Sequence, residues 1–196
     1  MSRLVVSEYV SLDGVIQAPG HAGEDAEGGF VHGGWTGTAM DEHLRYNTAS
    51  FQTAGAFLFG RLTYEIFAGY WPTVTDPGNE IARALNTRPK YVASRTLSDP
   101  EWPGTTVIRD VERDVTELKR QADRPILVLG SSGLAQSLAQ AGRVDQYELW
   151  LHPVALGHGK KLFIDRGPRL DLRLIDSRTT AGGLVILSYE PVGADN

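Results

Sequence analysis

A chain of 196 residues, 41% hydrophobic and 22% charged, has the composition of one soluble globular domain, large enough to bury a core without cross-links. The absence of cysteine excludes a disulfide framework, thiolate catalysis and cysteine-held zinc or iron–sulfur centres, and makes the cytoplasm the expected compartment. A net charge of −5 with scattered lysine and arginine argues against nucleic acid as a partner, and no apolar run approaches the roughly 18 residues of a membrane span.

The opening MSRLVVSEYVSLDG has neither a basic start nor a continuous apolar stretch, so no export signal is expected. Residues 3–10 mix β-branched and aromatic side chains and predict a first strand, central because Leu4, Val5 and Val6 are consecutive. Ser11-Leu12-Asp13-Gly14 breaks it. From there to Gly37 the chain is rich in glycine, histidine and acids with no sustained period, which marks a functional or partly disordered loop. Residues 38–54 predict a helix, with Thr38 suited to the N-cap, Asp41 and Glu42 in the acidic first turn, and Met40, Leu44 and Phe51 on an inward stripe.

Residues 56–67, AFLFGRLTYEIF, organise the rest. Four apolar residues stop at Gly60, and Leu62 and Ile66 then sit four apart, so a buried strand enters a helix through one glycine. The first amides of such a helix lack backbone partners and carry partial positive charge, which suits an anion, above all phosphate. Arg61 adds a fixed cation and Thr63 a hydroxyl, although the same residues also suit an ordinary turn with a surface arginine.

Residues 80–86 predict a short helical turn and 90–94 a strand that leaves through Ser94-Arg95-Thr96. A strand is expected at 105–109 and a helix at 111–122, with Val111, Val115 and Leu118 on one face. Residues 126–129 form a buried strand ending in Gly130-Ser131-Ser132-Gly133, and Leu134, Leu138 and Ala141 mark a helix stopped by Gly142. This is a second glycine-bearing, anion-binding corner. Thereafter strands dominate: 147–154, then 172–180 and 184–191 around Ala181-Gly182-Gly183, a hairpin signal. The pattern describes one domain over 1–196, an α/β mixed sheet with helices on its faces and an antiparallel C-terminal hairpin. The apolar 147–154 strand and the hairpin offer edges to cover, so a homodimer is expected. The five histidines form no helical i,i+4 pair, and no metal site is expected.

Taken together, FLFGRLTYE, YVASRT, ILVLGSSGLAQSL, VDQYELWLHPVALGHGKKLF, SLDG and GGLVILSYEP resemble the dihydrofolate-reductase-like family over nearly the whole chain. The likeness is strongest to the reductase domain of the bifunctional riboflavin-biosynthesis deaminase-reductase and its stand-alone relatives; the deaminase zinc motif is missing. The resemblance implies a three-layer fold with a mostly parallel sheet and an NADPH-dependent reductase passing hydride to a small heteroaromatic or carbonyl-type substrate, as in 5-amino-6-(5-phosphoribosylamino)uracil reductase. It assigns Gly60, Arg61 and Thr63 to the NADPH pyrophosphate, Ser94, Arg95 and Thr96 to the 2′-phosphate, and Gly130, Ser131, Ser132, Gly133 and Leu134 to the opposite side of the cofactor.

Three carboxylates are candidates for proton delivery. Asp13 matches the SLDG of the riboflavin-pathway reductases, and Asp41 or Glu42 the acid-bearing helix of dihydrofolate reductases. Each also has a plain structural role open to it, Asp13 in a turn and the other two at a helix start. Trp35 is the candidate to close over a planar substrate ring. Residues 11–37 contain no lysine or arginine, which speaks against a ribosyl-phosphate substrate unless Arg45 or Lys160 reaches in. Dihydrofolate reduction, or nucleotide binding without turnover, are the alternatives.

Overall fold

The computed structural model describes residues 1–37, 48–165, 167 and 169–193. Its strands are β1 (Leu4–Ser11), β2 (Ala56–Gly60), β3 (Lys90–Ala93), β4 (Thr105–Ile108), β5 (Ile126–Leu129), β6 (Gln146–His152), β7 (Leu172–Thr179) and β8 (Val185–Pro191). Four helices are named here: α1 (Arg61–Tyr70), α2 (Glu80–Thr87), α3 (Val111–Gln121) and α4 (Ser132–Gln140). Residues 48–53 are also helical, and Thr38, Met40, Asp41, Glu42 and Leu44 of the expected 38–54 helix lie outside the described residues.

The strands form one eight-stranded sheet in the order β4-β3-β2-β5-β1-β6-β8-β7. Neighbours from β4 to β6 are parallel, whereas β8 runs antiparallel to β6 and β7 antiparallel to β8. A parallel sheet covered on both sides needs strands that are apolar throughout, which is what AFLF of β2 and ILVL of β5 provide. Alternation along β1 divides the core. Leu4, Val6 and Val10 face a cluster with Val115 of α3 and Leu134 and Leu138 of α4. Val5 faces Phe57, Phe59, Tyr64, Leu85 and Trp102 on the side of α1 and α2. Each fully buried aliphatic or aromatic side chain stabilises the fold by about 1.5–3 kcal/mol, so the two clusters fix helix, sheet and helix as three layers.

The helix starts fall into two kinds. Asn79 caps α2 by accepting from the Ala82 amide at 3.0 Å, and Asp110 caps α3 by accepting from the Arg113 amide at 3.1 Å. Among the described residues neither α1 nor α4 has a side-chain cap. Both uncapped starts lie at the carboxyl edge of the parallel strands, where such folds bind ligands.

The sequence predicts β6 as an exposed edge, but β6 is internal, paired with β1 on one side and β8 on the other. Its apolar residues on both faces are what an interior position demands. The outermost strand on that side is β7, exposed along nearly its whole length. The long 11–37 loop runs beside residues 153–162, tied by Leu12 N to Val154 O at 2.8 Å, Ile16 N to Lys160 O at 2.9 Å and Leu162 N to Gly14 O at 3.1 Å.

Candidate functional site

The two glycine-bearing corners meet. β2 and β5 are parallel neighbours, so the turn Gly60-Arg61 and the turn Gly130-Ser131 leave the sheet side by side. Ser131 joins them: its hydroxyl accepts the Gly60 amide at 2.8 Å and shares a 2.6 Å hydrogen bond with the Thr63 hydroxyl. The approach leaves no room for side chains. A Cβ on Gly60 would stand 2.7 Å from Ser131 Oγ, and one on Gly130, whose φ is +60°, would stand 2.9 Å from Thr63 Oγ1. Ser131 itself holds a left-handed φ of 70°, sustained by those two hydrogen bonds.

Arg61 and Ser132 face one cavity of about 800 Å³. Its floor is Gly60–Thr63 and Gly130–Leu134, and Phe67, Tyr70, Trp71 and Trp150 supply aromatic walls. Arg61 pairs with Glu65 one turn on, Nε to Oε1 2.6 Å, and donates to Thr96 Oγ1, which links the first corner to the loop after β3. In that loop Ser94 Oγ accepts the amides of Thr96 at 3.3 Å and Leu97 at 3.0 Å, while Arg95 is exposed. Ser94, Arg95 and Thr96 lie beyond the cavity wall, reached through Arg61.

The far wall comes from the first loop. Gln17, buried in that loop, donates to the carbonyls of Asp25 at 3.2 Å and Glu27 at 3.0 Å and accepts the Lys160 amide at 2.9 Å. Lys160 Nζ contacts Asp25 and Glu27 carboxylates at 2.6 Å each. Burial opposes the charge on Asp25, but the Lys160 hydrogen bond outweighs it together with the other contacts and holds the carboxyl below its ordinary value.

Of the expected proton donors, Asp41 and Glu42 lie outside the described residues. Asp13 does not line the cavity. Its carboxylate accepts the Ser11 hydroxyl at 2.6 Å and the amides of Leu156 at 3.1 Å and Gly157 at 2.6 Å. The Ser11 bond, then the two amides, push its pKa down to about 2, so Asp13 is an ionised clasp between the SLDG turn and residues 156–157. Trp35 is also outside the wall: its indole donates to Gln17 O at 2.7 Å and its ring meets His152 edge-on, 5.2 Å between centroids.

The cavity has an acid that sequence reasoning passed over. Glu8 on β1 lines it, is 5% exposed, and its Oε1 has no hydrogen-bond partner among the described residues. Burial pushes its pKa up to about 8, against a smaller opposite pull from the Gly130 amide. The available signal was parity, since Glu8 shares the Leu4, Val6 and Val10 side of a strand buried on both faces. On the other side of the sheet Glu148 accepts the Ser50 hydroxyl at 3.0 Å and the Trp150 indole at 3.1 Å.

The chain as a whole is similar to known proteins. Residues 3–186 match the family model described as the RibD C-terminal domain. The uncharacterised protein YyaP of Bacillus subtilis (strain 168) is 29% identical over 189 residues, covering 95% of this chain and 94% of YyaP. Among solved structures, a protein of Shewanella sp. PV-4 named for riboflavin biosynthesis superposes with a TM-score of 0.67 at 16% identity, covering 97% of this chain and 99% of that one. A pyrimidine reductase-like protein of Corynebacterium diphtheriae gives 0.62 at 13% identity, with 97% and 92% covered. RibD of Acinetobacter baumannii gives 0.64 at 16% identity; 98% of this chain is covered, but only 58% of that longer protein.

Proposed function

The chain belongs to the RibD C-terminal domain family, and on that premise we propose that it is an NADPH-dependent reductase of a small heteroaromatic or carbonyl-type substrate. The observation that carries the reading is the Ser131 junction, which sets two uncapped helix starts and Arg61 around one cavity. Among the described residues no side chain caps the first amides of α1 or α4, and both helix starts line the cavity floor, which fits an anion there. We assign Gly60, Arg61, Thr63, Gly130, Ser131, Ser132, Gly133 and Leu134 to the pyrophosphate, and Ser94, Arg95 and Thr96 to the 2′-phosphate. The bound dinucleotide supplies a hydride. The chain orients it through the corners, and Phe67, Tyr70, Trp71 and Trp150 keep water away from the reacting atoms.

The substrate we infer carries no phosphate. Among the described residues the lysine and arginine of the cavity wall are Lys160 and Arg61, and both already pair with carboxylates. A flat, uncharged compound suits the aromatic walls. Asp13 serves in this reading as a positioning residue, holding the first loop against residues 156–157. The lack of cysteine fits a cytoplasmic enzyme, which cell fractionation checks. We also infer a homodimer formed through β7, where Leu174 and Ile175 are exposed; a light-scattering mass of 21.4 kDa overturns it.

Thermal shift with NADPH, with NADH and without nucleotide tests the central reading. At about 100 times Kd, NADPH is expected to raise the melting temperature by ~5–10 °C, from ~2.7 kcal/mol of binding linkage in a domain of this size. No shift with either nucleotide sinks it. Arg61→Ala is expected to weaken NADPH binding about 10-fold or more by removing a charge-assisted hydrogen bond.

A further inference from the structure

We propose that Glu8 is the proton donor of the reduction, an assignment that rests on the reductase reading and goes beyond it. β1 lies between β5 and β6, and Ser7 is in register with Leu129, so Glu8 stands level with Gly130 at the second corner. It is 5% exposed, yet it lines the cavity and its buried Oε1 has no partner among the described residues. The Gly130 amide reaches the carboxyl, but a buried oxygen left without a partner is costly. The cost makes sense where a substrate heteroatom completes the hydrogen bond.

The surroundings keep the proton on. Neither β5 nor α4, which flank that side, carries an ionisable residue. From the other elements, β6 brings Tyr147 on the same face and Glu148 on the opposite one, and the cavity wall brings Tyr9, His21, Arg61 and Lys160. Arg61 and Lys160 are ion-paired with Glu65, Asp25 and Glu27, and burial leaves Glu8 with a pKa of about 8. The other described carboxylates on the wall are spoken for: Glu24 accepts the Gly20 amide at 2.6 Å, while Asp25 and Glu27 hold Lys160. Glu8 combines a retained proton with an oxygen free to present it.

The step balances. As the carbon of a C=N or C=O group accepts the hydride, its π pair moves to the heteroatom, which takes the proton from the Glu8 carboxyl. The substrate gains two electrons and two hydrogens, the dinucleotide is oxidised, and the Glu8 carboxylate regains its proton from water.

Glu8→Gln keeps the shape and the neutral charge, and the test compares it with the wild-type protein. In the ligand-free proteins, infrared spectroscopy near neutral pH is expected to show a protonated-carboxyl band in the wild type that Glu8→Gln lacks. The NADPH thermal shift is expected to persist in the variant. NADPH oxidation with isatin, a flat uncharged heterocyclic ketone, or with dihydrofolate is expected to fall by ~100-fold or more. The wild-type rate declines as pH rises through about 8, and the residual variant rate does not follow that profile. A variant that oxidises NADPH within about threefold of wild type, or a wild type without the infrared band, overturns the assignment and leaves the reductase reading standing. A wild type that is not stabilised by NADPH, or that turns over neither compound, overturns both.

Discussion

Glu8 and Lys90 are both taken out of water, at opposite ends of the same sheet, and their surroundings differ. Lys90 opens β3 at the amino edge with 0% exposure; its Nζ donates to the carbonyls of Leu85 and Arg88 at 2.9 Å each and lies 4.8 Å from the centre of the Trp102 ring. Glu8 sits towards the carboxyl edge with an oxygen that nothing among the described residues meets. Burial drives both pKa values to about 8, one downward and one upward. The perturbation alone therefore does not separate architecture from chemistry. The partners do: a buried ionisable group whose bonds are made within the protein holds the fold, and one left incomplete beside a cavity awaits a ligand.

The largest expected effect tests the structural half of that contrast. Lys90→Ala removes the donor to two carbonyls and leaves a void beneath Trp102, which should cost about 2–4 kcal/mol and lower the melting temperature by ~10 °C, with NADPH affinity unchanged in the folded fraction. Calorimetry and titration of the same preparation check both statements. The two groups also act oppositely with pH. Glu8 keeps its proton in the folded chain up to about 8 but only to 4.5 when unfolded, so stability falls as pH rises across that interval. Lys90 loses its proton at about 8 when folded and at 10.5 when unfolded, so stability climbs again between those values. Their joint contribution passes through a minimum near pH 8. Glu8→Gln should flatten the acid-side limb and Lys90→Met the alkaline one, and denaturant midpoints across the range decide this.

Gly130→Val sharpens the functional half. It forces a β-branched residue into φ of +60° against the Thr63 hydroxyl, and strain of ~1–3 kcal/mol should open the junction between the corners. Loss of the NADPH thermal shift in a protein that still melts cooperatively is the expected result. A smaller effect comes from Asp13→Ala. With three hydrogen bonds completed inside the protein, Asp13 belongs with Lys90, so its loss should lower the melting temperature by ~2–4 °C and raise KM more than it lowers kcat. Because its folded pKa is depressed to about 2, its stabilisation is present above 3.8 and fades as pH falls through about 2. The smallest is Arg95→Ala, a loss of ~2–5-fold in NADPH affinity with NADH affinity unchanged, as suits one exposed cation; titration with each nucleotide reads the difference.

What the sequence disclosed and what it withheld follow the range of the forces involved. β2, β5 and the two corners were legible because four apolar residues and a glycine are local signals. The order of the elements and the antiparallel finish were legible for the same reason. Glu8 was not, because its role depends on desolvation by α4 and β5, more than a hundred residues away. Lys90 looked like the polar start of a strand, though it is one of the most buried side chains. The chemistry of Trp35 and Asp13 is visible in the sequence, but the long-range bonds that engage both are announced by no local pattern. β6 misled in the other direction, since its pairing with β8 is set by a chain segment some forty residues later.

The contact among Gly60, Thr63, Gly130 and Ser131 has an evolutionary corollary. Each of these residues occupies space or supplies a bond that another requires, so none is free to drift alone. A lineage that replaces Ser131 with a larger residue must reshape the Gly60 bend at the same time, and one that fills Gly130 must shrink Thr63. Aligned descendants should therefore change these four sites as a block, inheriting the hinge between two distant stretches of sequence as though it were one character.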